Sequence, residues 1–122
     1  MQIMLADHHP QALWALKTML QEKPEFDITG EAIDANGLLA LVTVNPPDLV
    51  LIDWELPGSS IDDLINEMHA CIPRPIVVVM SSKSEYGNML LKAGADAFIS
   101  KSDQPAWLLE ILCKYEKRFR RK

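Results

Sequence analysis

Two cysteines in 122 residues cannot form the disulfide framework that staples small secreted domains. Cys71 and Cys113 also lack metal-ligand spacing, and both lie in apolar helical patterns, so they read as reduced core residues of a cytoplasmic protein. Glycine is scarce as well. None of the five is arranged in the spaced pattern that cradles nucleotide phosphates, so nucleotide binding has no support. The longest uncharged apolar runs, Ile76 to Met80 among them, are far too short to span a bilayer. The first residues, Met1-Gln2-Ile3-Met4, carry neither a basic region nor a small-residue cleavage site. Repeats, low-complexity stretches and flexible linkers are missing too.

With 48% apolar and 24% charged residues, the chain has the make-up of one domain able to build its own core. Its net charge of −5 is unevenly spread. From Lys114 onward there are six basic residues and one acid, Glu116, whereas the preceding 113 residues hold six bases against sixteen acids. An acidic body repels nucleic-acid phosphates, which argues against direct nucleic-acid binding by this domain. The basic end reads as a solvated helix end that complements the helix dipole.

Short apolar runs alternate with amphipathic stretches. Ile3–Ala6, Leu49–Ile52, Ile76–Met80 and Ala97–Ile99 lack polar alternation, as strands buried on both faces require, and a fifth strand is predicted around Phe26–Ile33. Between them lie helical stripes. Leu13, Leu16 and Leu20 follow Pro10; Leu38, Leu41 and Val42 precede Pro46-Pro47; Ile61, Leu64, Ile65 and Met68 make a third. Met89, Leu90 and Ala93, closed by Gly94, make a fourth, and Trp107, Leu108, Ile111, Leu112 and Tyr115 a fifth. Five strand–helix units predict an open, doubly wound α/β domain.

In such folds ligands sit beyond the carboxyl ends of the strands. Those ends read Asp7-His8-His9, Asp53, Ser81-Ser82 and Ser100-Lys101. Two carboxylates suit a hard cation such as magnesium, and a lysine beside a hydroxyl suits phosphoryl oxygens. His8 and His9 with Asp7 also raise the alternative of a transition-metal site. Adjacent residues leaving a strand point in different directions, which speaks against both reaching one ion. His9 is expected to be a structural hydrogen-bonding residue at the start of the first helix. Ser81 and Ser82 show no histidine–acid partner pattern, which speaks against a serine hydrolase.

Three segments carry a resemblance: Ala6-Asp7-His8-His9-Pro10, Leu51-Ile52-Asp53-Trp54-Glu55-Leu56-Pro57-Gly58, and Ala93 through Lys101. Together they make the chain, from Ile3 to about Tyr115, resemble the CheY-like receiver domains of two-component response regulators. The wording around Pro10 and after Lys101 is most similar to the NarL/LuxR-type subclass, whose receivers precede a DNA-binding helix-turn-helix. The resemblance implies a flavodoxin-like (βα)5 fold with strand order 2-1-3-4-5. It implies a receiver over residues 1–118, with 119–122 a basic tail or the start of a linker. Asp53 becomes the phosphoacceptor for a histidine kinase. Asp7, Asp53 and the backbone carbonyl of Glu55 become ligands of Mg2+. Ser81, with Ser82 beside it, and Lys101 become the phosphoryl contacts, and Phe98 the aromatic that swings inward on activation. The domain is then a signalling switch rather than an enzyme, with an output domain and a homodimer as further partners and no membrane association.

Some positions depart from the family pattern. His8 stands where a second acid normally touches the metal, and imidazole is a poor ligand for Mg2+, so weak binding is expected. Ile61 and Ala97 replace usual glycines, and Ser102 follows Lys101 in place of proline. Two alternatives follow: a phosphorylation-independent pseudo-receiver, and a small Mg-dependent phosphatase using Asp53 as nucleophile with Glu55 nearby.

Overall fold

The computed structural model describes residues 1–101 and 105–120. In chain order the elements are β1 (Gln2–Ala6), α1 (Pro10–Gln21), β2 (Asp27–Ala32), α2 (Ala35–Val44), β3 (Leu49–Asp53) and α3 (Ile61–His69). Then come β4 (Ile76–Ser81), a 3₁₀ turn (Ser84–Tyr86), α4 (Gly87–Lys92), β5 (Ala97–Ser100) and α5 (Pro105–Arg120). The strands form one sheet in the order β2-β1-β3-β4-β5, with every neighbouring pair parallel. This is the expected doubly wound fold.

The uninterrupted apolar runs acquire their reason here. Along each strand alternate side chains enter opposite cores. Ile3, Leu5, Leu49, Leu51, Val78, Met80 and Ile99 pack with Leu13 and Leu20 of α1 and Leu108 and Leu112 of α5. On the other face, Met4, Ala6, Val50, Ile52, Val77 and Val79 pack with Leu38 and Val42 of α2, Leu64, Ile65 and Met68 of α3, and Leu90 of α4. Each fully buried leucine among them contributes about 2 kcal/mol by removal from water.

Local chemistry sets the helix ends. Pro10 opens α1 at the position where a missing N–H costs nothing. The side chains of Asp34 and Ser60 accept hydrogen bonds from Gly37 N–H and Asp63 N–H, capping α2 and α3. After α4, Gly94 takes φ +113°, a left-handed conformation suited to glycine; a Cβ there would meet His69 Cε1 at 2.7 Å.

Several expectations need correction. The fourth stripe shortens to a six-residue helix in which Leu90 is buried but Met89 is 46% exposed, because fewer than two turns present a single inward position. Trp107 is 58% exposed on α5 rather than part of the packed stripe, in which Leu108 and Leu112 are buried and Ile111 and Tyr115 half-buried. The cysteines are free but only half-buried. Cys71 lies just past the end of α3, outside the helical pattern that suggested a core position. Helix α5 itself runs on to Arg120. Residues 121–122 and Ser102 lie outside the described residues. Among the described residues, no helix is long and apolar enough to cross a membrane.

Candidate functional site

The strand registers bring the chemistry together. Ala6 pairs with Ile52, Asp53 with Met80 and Ser81 with Ser100, so β1, β3, β4 and β5 end on one rim. Backbone hydrogen bonds run just past the strands. Asp7 N–H donates to Ala32 O, Trp54 N–H to Met80 O and Lys101 N–H to Ser81 O. The side chains that follow are thereby fixed to the sheet rather than to mobile loops.

Asp7 and Asp53 are almost entirely buried. Lys101 Nζ lies between them, donating to Asp7 Oδ2 at 2.9 Å and pairing with Asp53 Oδ1 at 3.1 Å. Burial alone would push the Asp7 carboxyl up. Hydrogen bonds from the His9 backbone N–H and from Lys101 outweigh that effect and hold it below its ordinary value. Burial likewise pulls the Lys101 ammonium down, but the two carboxylates outweigh it and raise the pKa. One fixed cation thus serves two buried anions.

The other side of the carboxylate pair faces two imidazoles. Asp7 Oδ1 accepts from His9 N–H at 2.9 Å and from His9 Nδ1–H at 3.1 Å. His8 Nδ1 stands 3.4 Å from Asp53 Oδ2, and His9 Nδ1 stands 4.0 Å from the same oxygen. The expectation that adjacent histidines must diverge is corrected here. The Asp7 side chain accepts from the amide two residues on, which curls the chain off the strand direction. Both rings then lie together, with centroids 3.8 Å apart. His8 Nδ1 and Asp53 Oδ2 are buried atoms with no hydrogen-bond partner among the described residues.

The remaining predicted residues divide. Ser81 is buried, with its Oγ accepting from Lys83 N–H at 3.0 Å. Ser82 and Glu55 are exposed, and the Glu55 carboxylate is not among the four groups whose ligating atoms converge. Phe98 is half-buried and points toward α4: a Cβ at Gly87 would meet its ring at 3.0 Å. His9, set aside as a ligand in the sequence, belongs to the cluster as well as to the start of α1. Two neighbours were missed by sequence reasoning. Tyr86 stacks on Trp54 at 4.8 Å, and Lys83 lies over the Tyr86 ring at 5.7 Å. The Asp-His-His-Pro run carried a signal for His9. Nothing local announced Tyr86, which meets Trp54 only through the tertiary fold.

The buried carboxylate pair is what an Mg2+ ion would need, but the donor set as a whole does not fit it. Magnesium prefers oxygen and water, whereas two imidazole nitrogens line the side on which Asp53 Oδ2 is open.

A parallel sheet in this order with acids, serine and lysine at its carboxyl rim has the layout of a receiver-type domain. Residues 3–112 match the response regulator receiver domain family, and the chain belongs to it. Among curated relatives, the nitrate/nitrite response regulator protein NarL of Escherichia coli (strain K12) is 29% identical, over 90% of this chain and 52% of its own length. The probable transcriptional regulatory protein SgaR of Hyphomicrobium methylovorum is 25% identical, over 91% of this chain and 54% of its own. The chain therefore spans about half the length of these relatives. Among solved structures, the signal receiver domain of the putative response regulator NarL from Mycobacterium tuberculosis superposes with a TM-score of 0.85, at 20% identity and 95% coverage of each chain. The response regulatory domain of mrkE from Klebsiella pneumoniae gives 0.89 at 17% identity, with both chains fully covered. At these identities the structural matches speak for the fold.

Proposed function

We propose that this chain is a phosphorylation-controlled switch in which Asp53 accepts a phosphoryl group from a histidine kinase. The observation that carries this reading is the state of Asp53: nearly buried at the end of the central strand, with Oδ1 held by Lys101 and Oδ2 open. The open oxygen attacks phosphorus, and the P–O bond forms as the P–N bond of the donor phosphohistidine breaks. The imidazole of the donor leaves and takes up a proton. The acyl phosphate adds about −2 of charge at the rim, which the Lys101 ammonium is placed to answer. Ser81 then bonds the phosphoryl oxygens, Ser82 borders the same loop, and Phe98 moves inward as its contact with Gly87 is rearranged. The two carboxylates, with the Glu55 carbonyl, are the residues that would touch a magnesium ion. With imidazoles in place of a third acid, such binding is weak.

The relatives are named as response regulators and transcriptional regulators, and the chain matches about half of their length. An output domain, DNA-binding in type, is therefore the proposed downstream partner, and a homodimer the proposed active assembly. The same reading carries a cytoplasmic location with it. Phosphorylation is tested by incubating the protein with a small-molecule phosphodonor and measuring its mass. The expected gain is one phosphoryl group, lost in Asp53→Asn. Labelling that persists in that variant would overturn the assignment.

A second reading has its own support. His8 Nδ1 lies 3.4 Å from the oxygen that must attack, which suits a pseudo-receiver that signals through protein contacts alone. A wild-type protein that stays unlabelled under every phosphodonor condition, yet binds its output partner, would select it.

A further inference from the structure

We infer that Asp7, His8, His9 and Asp53 form a binding site for one divalent transition-metal ion of the zinc type. One ligating atom from each residue lies within 4.8 Å of those of the other three. The measured separations are 3.1 Å for His9 Nδ1 to Asp7 Oδ1, 3.4 Å for His8 Nδ1 to Asp53 Oδ2 and 4.0 Å for His9 Nδ1 to Asp53 Oδ2. A tetrahedral zinc ion with bonds of about 2.0 Å sets its ligand atoms roughly 3.3 Å apart. The 3.1 and 3.4 Å pairs already match that spacing, and the wider ones, up to 4.8 Å, close as the exposed His9 ring turns inward.

The donor set selects the ion. Two imidazoles and two carboxylates suit zinc, cobalt or nickel, whereas magnesium gains little from nitrogen ligands. The replacement of an acid by His8, which weakens a magnesium site, is thus what completes a site for a borderline ion. Independently, Asp53 Oδ2 and His8 Nδ1 are buried facing atoms without hydrogen-bond partners among the described residues. Asp53 keeps only 3% of its side-chain surface exposed, so an open oxygen there is costly unless something occupies the space beside it. A cation would satisfy both atoms at once.

The surroundings support the ligands. Asp7 Oδ2 and Asp53 Oδ1 are both held by Lys101, which leaves Oδ1 of the first and Oδ2 of the second turned toward the imidazoles. Outer contacts of this type fix ligand orientation at metal centres. Two carboxylates against one ammonium leave a net negative charge that attracts a cation. With 53% of its side chain exposed, His9 gives an ion a route in from solvent.

The test titrates the whole unphosphorylated chain with Co2+ as spectroscopic probe, then with Zn2+ and with Mg2+ as competitors. One equivalent of cobalt should bind and give visible bands of a nitrogen–oxygen site, without the intense near-ultraviolet band of a thiolate ligand. Zinc should abolish the signal, and about a 100-fold excess of magnesium should not. His8→Ala and His9→Ala should each weaken binding by about tenfold or more, while His69→Ala leaves it unchanged. Zinc should also shift the Nδ1 resonances of both histidines in the wild-type protein, a reading that needs no variant to fold. Absence of stoichiometric binding, equal competition by magnesium, or full affinity in the His8→Ala/His9→Ala double variant would each overturn the proposal. No phosphodonor enters any arm, so the metal site stands or falls separately from the phosphoryl reading.

Discussion

Two sides of one carboxylate pair behave differently in this protein. On the β5 side, Lys101 closes on Asp7 and Asp53 with contacts of 2.9 and 3.1 Å. On the β1–α1 side, the same carboxylates meet two imidazoles, and Asp53 Oδ2 finds no hydrogen-bond partner among the described residues. Buried anions are stable only when countered. One side is thus a finished structural contact, and the other is an open chemical position. The difference teaches where to look for function: at the half of a buried charge cluster that the fold has not closed.

The largest way to break this contrast is to remove the closing cation. Lys101→Met should lower stability by about 3 kcal/mol in urea unfolding, because it leaves two buried carboxylates without their shared partner. The pH dependence gives a sharper form. Asp7 has a folded pKa below its ordinary 3.8, so its contribution is complete above that value and is lost as pH falls through the folded pKa. Lys101 is raised above 10.5, so its contribution is complete below that value and is lost as pH rises through the folded pKa. Wild-type stability should be flat between these limits with respect to this pair. The deficit of Lys101→Met should shrink in acid, where a protonated Asp7 no longer needs an ammonium. A deficit independent of pH would show that Lys101 acts through packing instead.

The next effect converts the open side to a hard-ion site. His8→Asp should tighten magnesium binding by about 1.4 kcal/mol, or roughly tenfold in Kd, followed by Trp54 fluorescence. It should lower apo stability near neutral pH, because three carboxylates then crowd one rim, and magnesium should restore it. No gain in magnesium affinity would mean that the missing acid is not what limits the site.

The smallest effect comes from a neighbour that closes neither side. Tyr86→Ala removes the ring stacked on Trp54 and should cost about 1 kcal/mol by thermal unfolding, with a shift in Trp54 emission. Labelling of Asp53 should persist. A loss of labelling would extend the site beyond the carboxylate pair.

Much of this architecture is legible in the chain. Strands without polar alternation can be satisfied only by cover on both faces, so Leu49–Ile52 and Ile76–Met80 announced a parallel, doubly covered sheet. Asp7, Asp53, Ser81 and Lys101 could be placed on one rim because each ends a strand of that sheet. Helix α4 was less legible, since six residues give too few positions for a periodic pattern to be tested. Trp107 was misplaced because a stripe gives the face of a helix but not how far its neighbours extend over it.

Side-chain convergence was another matter. Residue order and spacing determined which groups reach the carboxyl ends of the strands, because parallel strands of similar length end together. They did not determine that Lys101, 94 residues from Asp7, would bridge both acids rather than one. Nor did they fix the path between β1 and α1, where a bond from His9 N–H to Asp7 accompanies a turn that brings both imidazoles to Asp53 Oδ2. Strand periodicity argued the opposite, and it fails at His8 because the chain has already left the sheet. Periodicity is a property of repeating backbone and can be read from a sequence. The meeting of His8 with Asp53 depends on a single turn and on packing between distant strands, which only the tertiary structure decides.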